Sequence, residues 1–321
     1  MSLPPETVVA VVLAGGTSRR FGRDKLAEPW GDGATTLLDA VLAGLPEGIE
    51  VLVVGPERAT ARRVRFVRED PPGGGPGAAL VTGLRAALAA GAGRIAVLPA
   101  DAPAAGRAAA ELLGRLGSSP GQRAVVATDE EGREQPLQLA LVASAARALV
   151  AAAPGGGDGA SARALLRNLD PPATRVALGP EVLFDIDTPT QLMAWRLQSS
   201  AAVDTVLDRV AEVAPAARPR PVVVALTGPP GSGRSTMAQA LRLRAGAVVL
   251  SAADLPDRSL RAALDALRQQ SVAGRAPTRL VVVDGPPEPD PELADLVDLT
   301  VPVAATTWTR SGPELGHGER T

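Results

Sequence analysis

Short apolar runs alternate with Ala- and Leu-rich stretches along the chain as far as residue 197. This alternation is typical of βαβ units, in which helices cover buried, mostly parallel strands. The apolar runs predict strands at 7–13, 50–54, 64–67, 94–98, 123–127, 137–142, 174–178 and 182–186. The stretches with helical spacing predict helices at 34–44, 77–90, 104–116, 143–152, 159–168 and 189–213. The pattern therefore predicts an α/β fold with a mostly parallel, open sheet.

A charged, proline-rich segment ending near residue 220 interrupts the pattern and is typical of a stiff linker. Beyond it the alternation restarts, with strands expected at 222–227, 247–250, 279–283 and 298–303 and helices at 235–244 and 258–273. We therefore expect one domain at 1–197, a helix end and linker at 198–220, and a smaller α/β domain at 221–303. Residues 304–321 show no periodicity and are expected to be disordered.

The amino-acid composition limits the kinds of catalytic and metal site that the chain can form. The chain has no cysteine and a single histidine, His317, in a polar tail, which excludes thiolate nucleophiles, zinc and iron–sulfur centres and histidine-based triads. Catalysis must then use carboxylates, Lys or Arg, backbone amides and an oxygen-liganded metal such as Mg²⁺. The net charge of -2 favours neither nucleic acid nor an anionic membrane as a partner. Because no run resembles a signal sequence or a membrane span, we expect a cytoplasmic protein.

The first predicted strand ends in a glycine pair followed by cations: Leu13, Ala14, Gly15, Gly16, Arg19 and Lys25. Glycines let backbone amides approach anionic oxygens, and the cations would neutralise phosphates. Arg19 and Lys25 would act where charge develops as a phosphoryl bond breaks. We interpret this segment as a nucleoside triphosphate site. The alternative is a tight strand-to-helix turn with solvated cations.

Two aspartates are candidate metal ligands. Asp101 follows a predicted strand at the carboxyl edge of the sheet, where open α/β folds bind ligands. A Mg²⁺ ion that bridges a triphosphate needs one or two such carboxylates, whereas the alternative is that Asp101 caps the next helix. Asp185 and Asp187 share one face of the last predicted strand, and Asp187 would complete the metal site. Thr188 and Pro189 are typical of a capped helix start.

These motifs together resemble the molybdenum cofactor guanylyltransferase family of glycine-loop nucleotidyltransferases, with a Rossmann-like sheet. The matching positions follow the family's order: Leu13, Ala14, Gly15, Gly16, Arg19, Gly22, Asp24, Lys25, Asp70, Gly75, Pro76, Asp101, Pro103, Pro136, Leu137, Asp187, Thr188 and Pro189. The resemblance covers about residues 1–197. One departure is Gly55, where the family often carries an asparagine that helps to hold the nucleotide.

The resemblance implies that a phosphate on molybdopterin attacks the α-phosphorus of an NTP, GTP being favoured, and releases pyrophosphate. It also implies that Leu13 to Gly15 and Asp70 hold the nucleoside, that Lys25 contacts phosphate and that Asp101 binds Mg²⁺. The glycine-rich loops 73–77 and 155–159 are expected to flank the acceptor. A sugar phosphate acceptor and a non-catalytic nucleotide-binding regulator are the alternatives. The base, the acceptor and the oligomeric state stay open.

The second domain opens with a strand, a glycine-rich loop and a helix, the context of a phosphate-binding P-loop. The candidate binding residues are Gly228, Gly231, Gly233, Arg234, Ser235 and Thr236. Ser235 and Asp284 would hold Mg²⁺, as in the uridine kinase-like P-loop proteins that this segment resembles. Arg234 stands where lysine is expected, and arginine does not replace lysine conservatively among phosphates. The alternative is a degenerate P-loop module that serves as a partner or allosteric surface.

Overall fold

A computed structural model describes residues 7–16, 18, 20–30, 35–214, 221–252, 254–255, 257–272, 280–285 and 295–304. The chain forms two compact units, Met1–Asp187 and Thr188–Thr321. The predicted linker at 215–220 and the predicted disordered tail at 305–321, with His317, lie outside the described residues.

The first unit contains nine strands and six α-helices among its described residues. The strands are β1 (Val8–Leu13), β2 (Pro29–Trp30), β3 (Thr35–Thr36), β4 (Glu50–Val54), β5 (Arg65–Val67), β6 (Arg94–Pro99), β7 (Ala124–Thr128), β8 (Glu134–Val142) and β9 (Thr174–Ala177). The helices are α1 (Leu37–Ala43), α2 (Gly75–Ala89), α3 (Ala105–Arg115), α4 (Ala143–Ala151), α5 (Ala162–Leu166) and α6 (Pro180–Leu183). A short 3₁₀ turn spans Lys25–Ala27.

Seven strands form one sheet in the order β5-β4-β1-β6-β8-β7-β9, while β2 and β3 form a small separate hairpin. Strands β5, β4, β1 and β6 are parallel, and β8 runs antiparallel to both of its neighbours. The predicted mostly parallel open sheet is therefore confirmed. In the centre Leu13 is paired with Val54 and with Pro99, so the carboxyl ends of three strands meet at one edge. Ligands of open α/β sheets bind outside this edge.

The central strand explains the long apolar run at the start of the chain. Val9, Val11 and Val12 are completely buried, because helices cover both faces of a parallel sheet. Helix α2 packs closely on this strand, since a Cβ added to Gly83 would lie 2.3 Å from Val11 Cγ1. Full burial of each valine contributes roughly 1.5–3 kcal/mol, and this rigid centre fixes the edge where the site lies.

Three predicted elements of this unit differ in the structure. The predicted strand 182–186 is wrong, because Pro180 occupies the first turn of a helix after Gly179 that runs to Leu183, and the residues after this helix join no strand of the sheet. Helix 159–168 begins only at Ala162, since Ser161 Oγ accepts a hydrogen bond from Ala164 N and caps it. Helix 34–44 begins at Leu37, after a capping box formed by Thr36 and Asp39.

The second unit is a smaller α/β body. Its elements are α7 (Pro189–Leu197), α8 (Ala201–Val213), β10 (Val222–Thr227), α9 (Arg234–Ala245), β11 (Val248–Ser251), α10 (Asp257–Val272), β12 (Leu280–Asp284) and β13 (Leu299–Pro302). The four strands are parallel in the order β11-β12-β10-β13. Within the described ranges, no helix combines the length and apolar character needed to cross a bilayer.

The single helix predicted at 189–213 is two helices in the structure. The break falls at Ser200, which has an extended backbone with φ -88° and ψ 152°. Serine favours caps and turns because its hydroxyl competes for backbone hydrogen bonds. Helix α7 packs against α9, and the division between the units falls after Asp187, before the boundary expected at residue 197.

Candidate active site

Lys25, Asp101 and Asp187 come together at the carboxyl edge of the first unit's sheet. Lys25 Nζ donates to Asp101 Oδ2 at 2.8 Å and to Asp187 Oδ1 at 2.9 Å. The Lys25 side chain is only 9% exposed, and Lys25 is the sole lysine in the sequence. Three residues that the sequence singles out separately thus form one cluster.

Local structure positions each member of this cluster. Asp24 Oδ1 accepts a hydrogen bond from Leu26 N at 3.2 Å and so caps the 3₁₀ turn that carries Lys25. Asp101 follows the end of β6, and its carbonyl oxygen accepts from Ile186 N at 2.8 Å. This bond ties the extended segment that carries Asp187 to the edge of the sheet. The position of the cluster therefore depends on β6 and on the Lys25 turn.

The structure excludes one of the two interpretations of Asp101. Helix α3 begins at Ala105 after Ala104, and no side chain caps it. The capping interpretation is therefore wrong, and the Asp101 carboxylate contacts Lys25 instead.

The segment after α6 keeps the alternation that the sequence predicts, although it is not a strand. Phe184 and Ile186 are buried, whereas Asp185 is exposed and Asp187 is half-buried. Both carboxylates therefore point away from the core. Desolvation raises the pKa of the Asp185 carboxyl, and the negative charges of Asp101 and Asp187 raise it further. The three aspartates thus share one acidic corner.

Lys25 is held in its charged form. Burial lowers the pKa of its ammonium group, but the charges and hydrogen bonds of Asp101 and Asp187 raise it more. Its pKa therefore lies above the ordinary value for lysine. Lys25 compensates part of the negative charge of the acidic corner.

Asp101 and Asp187 offer carboxylate oxygens, the kind of donor that Mg²⁺ takes from proteins. Among the described residues no three His, Cys, Asp or Glu side chains form a complete protein cage for a metal. Mg²⁺ in nucleotide sites commonly takes only one or two carboxylates from the protein. Asp101 and Asp187 converge on one cation, the Lys25 ammonium, which shows that the two carboxylates can share a positive partner.

Arg20 adds a second cation to this corner. Its Nη1 lies 3.2 Å from Asp187 Oδ2, and its side chain is 77% exposed. The neighbouring Arg19, the arginine that the sequence analysis favours, lies outside the described residues. An exposed arginine held beside the acidic corner can contact an incoming anion at little structural cost.

The glycine loop follows β1 at the same edge. Ala14 N donates to Val54 O at 2.7 Å, and Ala100 N donates to Leu13 O at 3.0 Å, so neighbouring strands hold the loop. Apart from its chain neighbours, a Cβ added to Gly16 would have no atom of the described residues within 4 Å, and the backbone φ of Gly16 is not positive. Neither packing nor backbone conformation therefore requires glycine there.

Gly55 packs directly beneath the glycine loop. A Cβ at this position would lie 2.6 Å from Ala14 O, and the φ of Gly55 is +154°. With this backbone a side chain at position 55 would collide with the loop. The departure from the family's asparagine therefore has a clear steric reason in this chain.

Glu69 lies on the other side of the loop. Its Oε1 atom is 3.4 Å from the position of a Cβ on Gly15, and its Oε2 atom accepts from Gly73 N at 2.9 Å. The Glu69 carboxylate thus faces the glycine loop with Oε1, and a hydrogen bond from Gly73 N holds its other oxygen, Oε2.

A cavity of about 430 Å³ opens next to Glu69. Its walls contain charged and small residues: Arg68, Glu69, Asp70, Pro71, Gly74, Ala78, Thr82, Arg85, Ala86, Gly155, Gly156 and Asp158. Asp70, which the resemblance assigns to the nucleoside, therefore lines the same cavity as the two loops expected to flank the acceptor.

The two glycine-rich loops around the cavity are bonded to each other. Gly77 N donates to Ala160 O, and Gly159 N donates to Gly74 O, each at 3.0 Å. A Cβ on Gly77 would lie only 2.4 Å from Ala160 O. The glycine at position 77 is therefore explained by this close approach of two loops.

The glycine-rich loop of the second unit has the expected strand–loop–helix context. Gly228, Gly231 and Gly233 all have positive φ, and Arg234, Ser235 and Thr236 begin α9. Ser235 Oγ donates to Asp284 Oδ2, and Arg234 Nε lies 3.9 Å from Asp284 Oδ1. The structure therefore brings the predicted loop residues and Asp284 together.

Two polar atoms of this loop and of the first residue of α9 are buried without a hydrogen-bond partner among the described residues. They are Arg234 Nη1 and Ser232 Oγ, and Ser232 is 1% exposed. Such groups are normally satisfied by protein, water or a ligand.

Arg58 and Glu69 do not stand out in the sequence. The Arg58 guanidinium bonds to Asp24, which is 34 positions away. Glu69 faces Gly15, although Glu69 follows β5 and Gly15 follows β1, and β4 lies between these two strands in the sheet. No local motif marks such pairs. For Glu69, the one available signal is its position next to Asp70.

Comparison with known proteins identifies relatives of the first unit. A family model described as the MobA-like NTP transferase domain matches residues 10–173. A probable molybdenum cofactor guanylyltransferase from Mycobacterium avium strain 104 is 38% identical over 99 residues, which is 30% of this chain and 50% of the relative. The protein of the same name from Mycobacterium tuberculosis strain H37Rv is 39% identical over 106 residues, covering 32% and 53%. The chain thus spans about half the length of the curated relatives it matches.

A solved structure is also similar, namely molybdopterin-guanine dinucleotide biosynthesis protein A from Archaeoglobus fulgidus. Its sequence identity is 20% and its TM-score is 0.44, with 57% of this chain and 94% of that chain covered.

Proposed function

Because this chain belongs to the MobA-like NTP transferase domain family, we propose that its first unit transfers a nucleoside monophosphate, preferably GMP, from an NTP to the phosphate of molybdopterin. The observation that carries the proposal is the convergence of Lys25 on Asp101 and Asp187 beside the glycine loop. This cluster places a buried cation and two carboxylates at the sheet edge where nucleotides bind.

The reaction needs positioning and charge neutralisation more than covalent participation by the protein. An oxygen of the acceptor phosphate forms a bond to the α-phosphorus of the NTP. The bond from the α-phosphorus to the bridging oxygen breaks, and the electron pair leaves with pyrophosphate. Lys25 would exchange a carboxylate partner for a phosphate oxygen as the triphosphate enters. Asp101 and Asp187 would hold Mg²⁺, which would supply positive charge to offset the negative charge of the phosphates.

The open space over Gly16 supports the position of the triphosphate. Since none of the described residues beyond its chain neighbours would touch a Cβ at position 16, the missing side chain leaves room for a ligand to approach the backbone. The amides of Gly15 and Gly16 would then face phosphate oxygens. Arg19 and Arg20 would contribute further positive charge.

The position of Glu69 supports guanine as the base. Its carboxylate accepts hydrogen bonds and lies against Gly15, beside Asp70, which would hold the ribose or base. Guanine offers two adjacent donors, N1–H and the N2 amino group, whereas the Watson–Crick edges of adenine, cytosine and uracil each offer one donor group. A carboxylate in this position would favour GTP.

The cavity supports a phosphorylated acceptor. Arg68 and Arg85 line it, and both are exposed cations available to a phosphate. Molybdopterin is the acceptor that the family implies, and a sugar phosphate is the competing one. The presence of both arginines in one cavity also disfavours a purely regulatory nucleotide site.

The test is a transfer assay on the purified full chain with each of the four NTPs, Mg²⁺ and either molybdopterin or a sugar phosphate. Pyrophosphate release and the dinucleotide product are measured together. We expect product with GTP and molybdopterin, and its loss in Asp101→Asn. An Arg107→Ala variant, altered on the exposed surface of α3, is the matched control. Nucleotide binding without transfer to either acceptor would contradict the proposal.

For the second unit we infer that the loop at 228–233 binds a phosphate group of a nucleotide. The unpartnered Arg234 Nη1 and Ser232 Oγ favour this ligand, since an unmet buried donor costs about 1–3 kcal/mol that an anion would offset. Arg234 would contact the phosphate with its guanidinium fork, and Ser235 and Asp284 would hold Mg²⁺. A partner or allosteric surface is the competing role.

This second site is tested by thermal stabilisation with ATP and GTP in a Lys25→Ala background, so that the first site does not contribute. We expect nucleotide to raise the Tm, and Arg234→Ala to abolish the increase. Arg242→Ala, at the other end of α9, is the control. Full stabilisation in Arg234→Ala, or none in the parent, would contradict nucleotide binding by this loop.

A further inference from the structure

Arg58 connects the two parts of the first site. Its side chain is 11% exposed. Nε donates to Asp24 Oδ2 at 2.8 Å, and Nη2 donates to Asp24 Oδ1 at 3.3 Å. Nη1 donates to Ala14 O at 3.3 Å and to Pro56 O at 3.2 Å. One guanidinium therefore holds the carboxylate before Lys25 and a carbonyl of the glycine loop at the same time.

The link from Arg58 to Lys25 passes through Asp24. The Asp24 carboxylate also caps the 3₁₀ turn through Leu26 N, so it is held from both sides. This turn sets the direction in which the Lys25 side chain enters the acidic corner. Lys25 also donates its backbone N–H to Ser18 Oγ at 3.4 Å and accepts at its carbonyl oxygen from Glu28 N at 3.2 Å. The Arg58–Asp24 pair adds a charge-assisted restraint at the start of this turn.

We propose that Arg58 is a positioning residue for nucleotidyl transfer, which fixes the glycine loop and the Lys25 turn in one relative arrangement. This inference rests on the proposed function of the site. A phosphate that contacts both the loop amides and Lys25 needs the two at a fixed separation, and a displacement of about 1 Å can cost 10²-fold in rate. Arg58 touches neither nucleotide nor acceptor in this role.

The guanidinium group is needed because its partners lie in different directions. The planar fork pairs with both Asp24 oxygens and also reaches Ala14 O. A lysine ammonium is a point charge without this fixed geometry. We therefore expect Arg58→Lys to keep the charge but not the arrangement.

Arg62 provides a matched control on the same segment. It is half-buried and also makes four hydrogen bonds, to the carbonyls of Leu42, Leu45, Pro46 and Ile49. These carbonyls belong to the last turn of α1 and to the segment that follows it, outside the site. Arg62→Gln therefore loses a comparable set of structural bonds without touching the glycine loop or Asp24.

The experiment compares wild type, Arg58→Gln, Arg58→Lys and Arg62→Gln by steady-state kinetics, Tm and NMR of protein labelled with ¹⁵N-lysine. Because Lys25 is the sole lysine, the wild type and the two glutamine variants give a single backbone amide signal from that residue. We expect Arg58→Gln to lower kcat by about 10²-fold and to shift the Lys25 signal. Arg58→Lys should not restore kcat. Arg62→Gln should lower the Tm to a similar extent while kcat and the signal stay at wild-type values.

Unchanged kcat and an unchanged Lys25 signal in folded Arg58→Gln would overturn the inference. Equal losses of kcat in Arg58→Gln and Arg62→Gln would overturn it too. If the wild type itself shows no transfer, the proposed function fails, and the Lys25 signal still tests the positioning. If Arg58→Gln does not fold, Asp24→Asn removes the charge of the same pair from its other end and is expected to lower kcat by a similar factor, and a wild-type kcat in this variant would overturn the inference.

Discussion

Lys25 Nζ lies 2.9 Å from Asp187 Oδ1, although 162 positions separate the two residues in the sequence. The contact gives the Lys25 ammonium group a second carboxylate partner besides Asp101. It joins the turn after the first strand to the last segment of the first unit. The site therefore exists only when the whole unit has folded, and its charges depend on one another.

Removing the Lys25 charge is expected to destabilise the first unit while increasing its response to Mg²⁺. In Lys25→Met, Asp101 and Asp187 lose the cation between them, and we expect a loss of about 1–3 kcal/mol in unfolding free energy. A divalent cation would then offset the repulsion between the carboxylates. The measurement is the Tm in MgCl₂ and in NaCl of equal ionic strength.

Arg133→Met is the control for this prediction. Arg133 pairs with Asp129 and Glu131 on the surface, where an ion pair contributes little. It should show neither the loss of stability nor the added response to Mg²⁺. A Mg²⁺ response in Lys25→Met no larger than that of wild type would argue against a shared metal position at Asp101 and Asp187.

Asp187 and Asp185 are expected to differ in their importance for transfer. Asp187→Asn removes a charge that pairs with Lys25 and Arg20, and we expect kcat to fall by about 10²-fold or more. Asp185→Asn removes a neighbouring carboxylate of the same corner with no contact to Lys25 Nζ, and a smaller loss is expected. Transfer kinetics over a range of Mg²⁺ concentrations separate the two variants. Equal kinetics would show that the corner acts only through its total charge.

One added methyl group is expected to have different effects at Gly16 and at Gly55. Gly16→Ala should fold with an unchanged Tm, because its Cβ meets no protein atom, but should bind NTP more weakly. Gly55→Ala should lose about 1–3 kcal/mol of stability, since its Cβ would collide with Ala14 O at a positive φ. The Tm without ligand and the Tm increase with GTP measure the two effects. If Gly16→Ala binds GTP normally, the triphosphate does not lie over this backbone.

Local patterns predict those parts of the site that lie next to their own strand ends. The loop at Gly15 and the position of Asp101 follow from apolar strands that end at one edge of a parallel sheet. Pairs that are distant in the sequence, such as Arg58 with Asp24, leave no local pattern, so only the fold shows them. The wrong strand prediction at 182–186 shows the converse. The local apolar alternation is present there, but Gly179 and Pro180 begin a helix just before it, and this helix runs as far as Leu183.

The base preference is expected to depend on Glu69. Inosine triphosphate differs from GTP only by the missing N2 amino group, so it removes one of the two donors that the carboxylate would accept. A hydrogen bond to a charged group contributes about 1.5–3 kcal/mol, which corresponds to roughly 10- to 100-fold in kcat/KM. Wild type should prefer GTP to inosine triphosphate by this factor, and Glu69→Ala should lose the preference.

Asp158→Ala is the control for the base preference, because Asp158 lines the same cavity but is not the carboxylate against Gly15. It should keep the discrimination between the two nucleotides. Glu69→Gln adds a further comparison, since an amide offers one acceptor oxygen where the carboxylate offers two, and an intermediate preference is expected. Glu69→Ala could instead discriminate between GTP and inosine triphosphate as well as wild type does. In that case backbone groups of the glycine loop recognise the N2 amino group, and Glu69 serves only to hold Gly73.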